Sequence, residues 1–510
     1  MEDKIENKNE EEFKTISLKN YVWPDEAKYQ KEKNKNKTLK KVAVISVMVA
    51  ILVGWFGGSI LPYGFATSLR NAIFRSSTMN SEKKISETLD IMENDWYFGK
   101  DIDDLDTRLT DQALTGITEN DEDKHTEYMS KEEMESFTQS INRNYVGIGV
   151  QYITTDNTAI VEKVFKDTPA EKAGVKAGDI IHSVDGVDVT GFTSSEIKEA
   201  VQGEEGTKVV IGLIRDGKNI SLEITRGAVS STAYGEMLEN DIAYLELYQF
   251  GTSTPDEVKS YLDDFTSAKS LIIDLRDNGG GYLDSVEGVA SCFLDKGTTV
   301  MSQEFSNGEI KVTSTSSDKY TDIQNIVILV NENTASAAEV LTLALKQQRN
   351  DVTIVGTTTY GKGTVQVSKQ FDDGSAIKYT TSKWLSPDGT WVNEVGITPD
   401  EEVKLDDVFY EQFTNLEDDE SYTVDNVDES IQDAQKCLNY LGYTVDRTDG
   451  YFSSKTGEEL KKYKEEHNLT SDEILNQETY NALRSSVLLD WNTTTTHDTQ
   501  LAKAKEILNG

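Results

Sequence analysis

The chain is expected to fold as several domains: a single transmembrane helix, a mostly β domain, an α/β layered domain and a small helical domain near its C-terminal end. Three observations predict this. The chain has 510 residues, more than one hydrophobic core commonly organises. Residues 42–61 read VAVISVMVAILVGWFGGSIL, twenty residues without a charge. Beyond them the pattern changes, from short β-branched runs between turns to apolar runs alternating with helical periodicity.

The uncharged run is about the length that crosses a ~30 Å hydrocarbon core as a helix. Trp55 and Tyr63 suit its interfaces, so 42–63 is the expected span. Lys31, Lys33, Lys35, Lys37, Lys40 and Lys41 crowd its amino-terminal flank, against Arg70 and Arg75 beyond it. Positive flanks stay inside, so the polar leader 1–41 is expected in the cytoplasm and the rest outside. A cleavable signal peptide fits less well, because the leader is long and no clear A-x-A site follows.

Residues 67–142 read as a polar helical arm. Residues 143–228 carry runs such as AIVEKVF and KVVIGLI between turns such as DGVD and RDGK. From 229 to 410, strand-like runs (IAYLELY, SLIIDLR, NIVILV, VTIVG) alternate with helical ones, as in an α/β layer. Residues 411–429 read as an acidic linker and 430–488 as a small helical domain. The tail 489–510, with TTTT at 493–496, is expected to be partly disordered.

Composition removes some functions. Acidic residues outnumber basic ones 90 to 51, a net charge of -39; phosphate binding needs a basic surface, so nucleic acid is not an expected partner. The two cysteines, Cys292 and Cys437, form no CxxC pair or zinc spacing. Each reads as a small buried hydrophobe, and neither metal nor cofactor is called for.

The four histidines are His125, His182, His467 and His497, none of them between 230 and 405. A Ser-His-Asp triad cannot be drawn from the α/β layer alone, and HExxH is absent. A hydrolase built on that layer needs another base, for which lysine is the known substitute. In NIVILVNENTASAAEVLTLAL, 325–345, an apolar run ends at Val330. A helix pattern follows, with Ala337, Val340, Leu341 and Ala344 on one face. Ser336 falls where strand gives way to helix, beside free N–H groups that could serve an oxyanion. By itself it reads equally as a helix cap.

In TTTYGKGTVQVSKQF, 357–371, Lys362 lies between Gly361 and Gly363. A lysine base must be neutral, so its pKa has to fall through burial with no carboxylate beside it. Flanking glycines let backbone crowd the amine. If GTVQV is a strand, Gln366 shares the lysine's face and could orient it without adding charge. Alone, this is an ordinary lysine on a glycine turn. The third element, IIDLRDNGGGYLDSV at 272–286, runs a buried strand into Asn278 and three glycines. Such turns present N–H groups to anions, but neither GxGxxG nor GxxxxGK[ST] is present. An oxyanion site and a plain loop both remain open.

These three segments resemble, in order and spacing, the nucleophile, base and Gly-rich motifs of the C-terminal processing peptidases. The resemblance implies an α/β Ser-Lys peptidase core with Ser336 as nucleophile, Lys362 as general base and Gln366 as the residue that orients it. It implies an oxyanion hole from the N–H groups of Ala337 and Gly280, with Gly279 and Gly281 as alternatives. Gly279 stands where the family often has proline. ALTGITENDEDKHTEYMSKEEM, 113–134, is similar to the helical segment before the family's PDZ domain, where His125 is structural. YVGIGVQY, 145–152, resembles a PDZ carboxylate-binding loop, in which Gly147, Ile148, Gly149 and Val150 hold a terminal carboxylate while the peptide adds a strand. TPAEKAGVKAGDIIHSVDGVDV, 168–189, matches the usual PDZ continuation. The last domain is similar to small helical peptidoglycan-binding domains through LGY, DGYFSSKT and NALR, although YKEEH stands where a Phe-Gln pair is usual.

The expectation is therefore a membrane-anchored serine endopeptidase on the outer face of a bacterial, Gram-positive cell membrane. It would take exported proteins by their free C-termini, bind peptidoglycan, and pair as a homodimer through 67–142, the last by family analogy. The rival is a non-catalytic PDZ and wall-binding scaffold.

Overall fold

The computed structural model describes residues 81–155, 158–215, 217–410, 413, 416, 420–467, 469–493 and 497–510. The expected leader and membrane span, 1–63, lie outside the described residues. Among the described residues no helix is long and apolar enough to cross a membrane. The chain divides into two compact units, 1–106 and 107–510. The described part of the first holds helix α1 (Ser81–Asn94).

The second unit begins within α2 (Leu105–Thr118) and continues with a short strand β1 (Glu127–Met129) and α3 (Lys131–Asn142). The strand interrupts what reads as a continuous helical arm. It forms because Glu127, Tyr128 and Met129 pair antiparallel with Lys378, Ile377 and Ala376, a partner far along the chain.

The β domain contains β2 (Tyr145–Gly147), β3 (Val150–Thr155), β4 (Thr158–Val164), α4 (Pro169–Ala173), β5 (Ile180–Val184) and β6 (Val187–Asp188). It continues with α5 (Ser194–Val201), β7 (Lys208–Arg215), β8 (Lys218–Thr225) and β9 (Gly227–Val229). Its sheet has the order β3-β4-β5-β7-β8, with β6 on β5, so β3 is an edge strand. Alternate residues of β7, Val209, Ile211 and Leu213, are buried with Ile181, Ile197 and Ile224 in one core. Lys163 on β4 fastens this domain to the next, reaching Glu246 Oε2 at 2.7 Å and Tyr248 Oη at 3.0 Å.

The α/β domain has β10 (Ala233–Met237), β11 (Ile242–Leu247), α6 (Thr254–Asp264), β12 (Ser270–Asp274) and α7 (Leu283–Phe293). Then come β13 (Thr299–Phe305), β14 (Ile310–Ser314), β15 (Ile326–Val330), α8 (Ala337–Gln348), β16 (Val352–Gly356), β17 (Thr364–Gln370), β18 (Ala376–Leu385) and β19 (Glu401–Glu402). The main sheet runs β10-β11-β12-β15-β16-β19, parallel throughout except for β10. β1, β13, β14, β17 and β18 form a second, antiparallel sheet.

Strands β12 and β15 are buried at every position, as parallel strands covered on both faces are. Their alternation splits two cores. Leu271, Ile273, Ile326, Ile328 and Val330 pack with residues of α6, α7 and α8. Ile272, Val327 and Leu329 face the other way and pack with Leu501 and Ala504.

Those last two belong to α12 (Thr499–Asn509), where a partly disordered tail was expected. The helix forms because its apolar residues cover the second face of the main sheet. Between them lie β20 (Ser421–Tyr422), α9 (Glu429–Tyr440), α10 (Ser454–Glu466), β21 (Leu475–Asn476) and α11 (Gln477–Thr493). Leu416, inside the expected linker, is buried with Val408 in the core of this C-terminal domain. The domain leaves the sheet beside the point where it returns: Gln500 Nε2 donates to the Val403 carbonyl at 2.8 Å, and Thr499 Oγ1 to that of Lys404 at 2.8 Å. Helix α11 passes beside the edge strand β3.

Candidate active site

Strand β15 ends at Val330 and the chain turns through Asn331–Ala335 before α8 begins. Thr334 Oγ1 donates to the Leu275 carbonyl at 2.8 Å, which ties this turn to the end of β12. Ser336 occupies the N-cap with φ 55° and ψ −116°. A side chain at positive φ is strained, and such strain persists only where surrounding contacts over-determine it. Its amide donates to Glu339 Oε2 at 2.8 Å, and its carbonyl accepts from Val340. The next amide, that of Ala337, is a first-turn donor and makes no hydrogen bond among the described residues.

The glycine turn closes on the same point. The Asn278 carbonyl accepts the Ala335 N–H at 2.9 Å. A Cβ on Gly280 would lie 2.9 Å from both Ala337 N and Ser336 Cβ, at a φ of +104°, so only glycine fits. The Gly280 N–H donates to Asn278 Oδ1 at 2.9 Å. Gly280 thus borders Ser336, but its amide, expected as an oxyanion donor, is engaged by Asn278 Oδ1.

Lys362 stands in the loop before β17 rather than on the strand, so strand alternation does not relate it to Gln366. A bulge between Val365 and Gln366 shifts the register further. The glycines on either side are needed. A Cβ on Gly361 would meet Gly396 N at 2.6 Å, and one on Gly363 would meet Trp391 Nε1 at 2.4 Å. Trp384 Nε1 donates to the Lys362 carbonyl at 2.7 Å, and Trp391 Nε1 to that of Gly363 at 2.9 Å.

Burial pushes the Lys362 amine below its ordinary pKa, helped by the Lys378 charge. Glu127, Asp123 and Glu339 act the other way. The sequence reading had no carboxylate near this lysine; three contribute, and desolvation outweighs them. His125, on the segment before β1, is depressed by burial and then by the Lys362 charge. Gln366 Nε2 donates to Thr364 Oγ1 at 2.9 Å and Thr380 Oγ1 at 3.0 Å, leaving its carbonyl oxygen to accept. Among the described residues no hydrogen bond joins Ser336 Oγ to Lys362 Nζ, or Gln366 to Lys362.

The residue that joins these parts is Glu339, which sequence reasoning passed over. Its side chain is fully buried. It accepts from Ser336 N at 2.8 Å, Lys362 N at 2.9 Å, Gly361 N at 2.7 Å and Thr359 Oγ1 at 2.6 Å. One carboxylate therefore sets the serine turn against the lysine loop through four charge-assisted hydrogen bonds. The available signal was S-x-x-E, a capping-box pattern that by itself only starts a helix.

A second site lies in the β domain. Gly147, Ile148, Gly149 and Val150 line a groove of about 660 Å³ together with Ser194 and Lys198 of α5. Gly149 has φ +87°, and Thr168 Cβ lies 2.4 Å from where its own Cβ would be. The Ile148 and Gly149 carbonyls are taken by Ala170 N and Phe165 N, which fixes the loop. The groove runs between the edge strand β3 and α5, the arrangement in which an extended peptide adds to a sheet.

Comparison with known proteins gives these sites a family. The peptidase family S41 model matches residues 241–403, the PDZ domain model 146–225, and a model described as "Putative peptidoglycan binding domain" 427–483. The chain is similar to the carboxy-terminal processing protease CtpA of Bacillus subtilis (strain 168): 33% identical over 429 residues, 83% of this chain and 90% of that protein. It is 32% identical to a "Probable CtpA-like serine protease" of Staphylococcus haemolyticus (strain JCSC1435), over 76% of this chain and 77% of the relative. Among solved structures, the photosystem II D1 C-terminal processing protease is 25% identical, covering 60% of this chain and 83% of its own, with a TM-score of 0.36. The chain belongs to peptidase family S41 and is a serine peptidase of the carboxy-terminal processing protease type, carrying a PDZ domain.

Proposed function

We propose that this peptidase cleaves exported proteins from the outer face of the cell membrane, with Ser336 as nucleophile, Lys362 as general base and Gln366 as its orienting partner. The single observation that carries this reading is Glu339, whose one buried carboxylate holds the backbones of both Ser336 and Lys362. A neutral Lys362 amine takes the Ser336 hydroxyl proton as Oγ attacks the scissile carbonyl. The proton then passes to the leaving amine, and water, activated by the same lysine, releases the acyl group. The free N–H of Ala337 faces the developing oxyanion, with a second donor from the turn at Gly280. In the resting arrangement that donor is held by Asn278 Oδ1, so a small turn rotation accompanies substrate entry. Gln366, its amide nitrogen fixed by two threonines, offers its oxygen to the lysine amine.

Gly147, Ile148, Gly149 and Val150 receive the carboxylate of a substrate's free C-terminus, and the positive charge of Lys198 lies in the same groove. Occupancy of the groove aligns Lys362. Residues 42–63 anchor the chain with its N-terminus in the cytoplasm, the C-terminal domain binds peptidoglycan, and the 67–142 arm supports a homodimer. The test incubates the protein from residue 80 onward with an unstructured protein ending in apolar residues. Loss of cleavage in both Ser336→Ala and Lys362→Ala is expected. Full cleavage by either contradicts the dyad and favours the scaffold reading.

A further inference from the structure

The glycine turn beside Ser336 follows directly from Arg276, and Arg276 is clamped from both sides. Its side chain is 9% exposed. Nε donates to Asp274 Oδ1 and Oδ2 at 3.0 Å, and Nη2 to Asp274 Oδ2 at 2.5 Å. On the other side Nη1 reaches Asp498 Oδ1 at 3.0 Å and Nη2 reaches Asp498 Oδ2 at 2.9 Å. Nη1 also donates to Gln500 Oε1 at 3.2 Å. Asp274 ends β12, so this side of the clamp comes from the catalytic sheet itself. Asp498 comes from the other end of the chain, as the N-cap of α12, beyond the whole peptidoglycan-binding-like domain.

A buried guanidinium shared by two carboxylates is a poor way to gain stability, since apolar residues of the same volume often do better. What it supplies is a fixed position, because two bidentate contacts leave the guanidinium plane no freedom. Two residues further on, Asn278 passes that position to the site. Its carbonyl holds Ala335 N, and its Oδ1 holds the Gly280 amide that borders Ser336. The path therefore runs from Asp498 to Arg276 through the ion pair, along two residues of backbone to Asn278, and through its Oδ1 to Gly280, which borders Ser336.

We propose that Asp498 is a positioning residue of the peptidase reaction, fixing Arg276 and through it the glycine turn against Ser336 and Ala337. Helix α12 is then a working part of the catalytic domain, and the C-terminal domain is an insertion into it. This rests on Ser336 being the nucleophile.

The plainer role for Asp498 is helix capping, since its Oδ1 also accepts the Leu501 N–H at 2.8 Å. Asparagine caps helices as well as aspartate does, so Asp498→Asn keeps the cap and removes the charge. In the full chain, Asp498→Asn is expected to lower kcat for the unstructured substrate by about 10-fold or more, as loss of a supporting contact behind reacting groups commonly does. KM, and the affinity for a peptide with a free carboxyl end, should stay within about twofold. Leu501→Ala loosens the same helix without touching Arg276. It should lower Tm but leave kcat of the folded fraction within about twofold. If Asp498→Asn does not fold, Gln500→Ala serves instead, with kcat expected to fall several-fold at unchanged KM. Unchanged kcat in the variant that folds, or an equal kcat loss in Leu501→Ala, overturns the proposal. Cleavage retained by Ser336→Ala would remove the dyad instead; a dead Ser336→Ala beside a fully active Asp498→Asn removes only the clamp.

Discussion

Glu339 shows how a residue can decide a site without touching substrate. Its four donors come from two loops, and a carboxylate accepts all of them where an amide cannot. Glu339→Gln forces an NH2 group against a backbone N–H, leaving buried donors unmatched at about 1–3 kcal/mol. The expected outcome is lower stability in urea together with a kcat loss of roughly 10–100-fold. Lys362 makes a separate prediction. A base acts when deprotonated, and burial lowers its pKa, so the neutral form appears at a lower pH than for a free lysine. The kcat/KM profile of the wild-type should rise through that lowered pKa toward alkaline pH. Moving Lys378, the second cause of the shift, to methionine should move the rise to higher pH. An unmoved profile contradicts the assignment. Ser336 and Lys362 were proposed from the sequence on local signals, a strand end, a helix start and two glycines, which the family resemblance joined into a pair. Glu339 could not be proposed in this way, because three of its four donors, at 359, 361 and 362, meet it only in the folded chain.

Among elements, the buried strands β12 and β15 were legible as unbroken apolar runs, and such runs require cover on both faces. What the reading lacked was the cover itself. The polar 493–496 run obscured α12, although Leu501, Ala504, Ile507 and Leu508 recur at helical spacing. Leu501 is 5% exposed. Leu501→Ala should cost about 2–4 kcal/mol by denaturant unfolding, the usual range for a buried leucine. Strand β1 was missed for a related reason: its partner β18 lies far away in sequence. In the PDZ domain, alternation and turn signals sufficed, because its sheet is built mainly from neighbouring segments. Charge at its groove is open to test. Lys198→Glu should weaken binding of a peptide with a free carboxyl end by about tenfold at low salt, less at high salt. Equal affinity would argue that the backbone N–H groups alone hold the carboxylate.

For the molecule as a whole, the resemblance to a PDZ-bearing peptidase with a peptidoglycan-binding-like domain was visible in the motifs, and the family models match all three. The joints between domains were not visible, because they are made by single side chains such as Lys163 with Glu246. Composition bears on this scale too: with a net charge of -39, nucleic acid is not an expected partner, because phosphate binding needs a basic surface. The central claim joins Ser336 to Lys362 in one outward-facing peptidase. Its most direct measurement is cleavage of an unstructured substrate with an apolar carboxyl end by the wild-type, Ser336→Ala and Lys362→Ala proteins, each confirmed to be folded. The account predicts cleavage by the wild-type and none by either variant. Wild-type rates from Lys362→Ala would contradict it, for the base would then lie elsewhere.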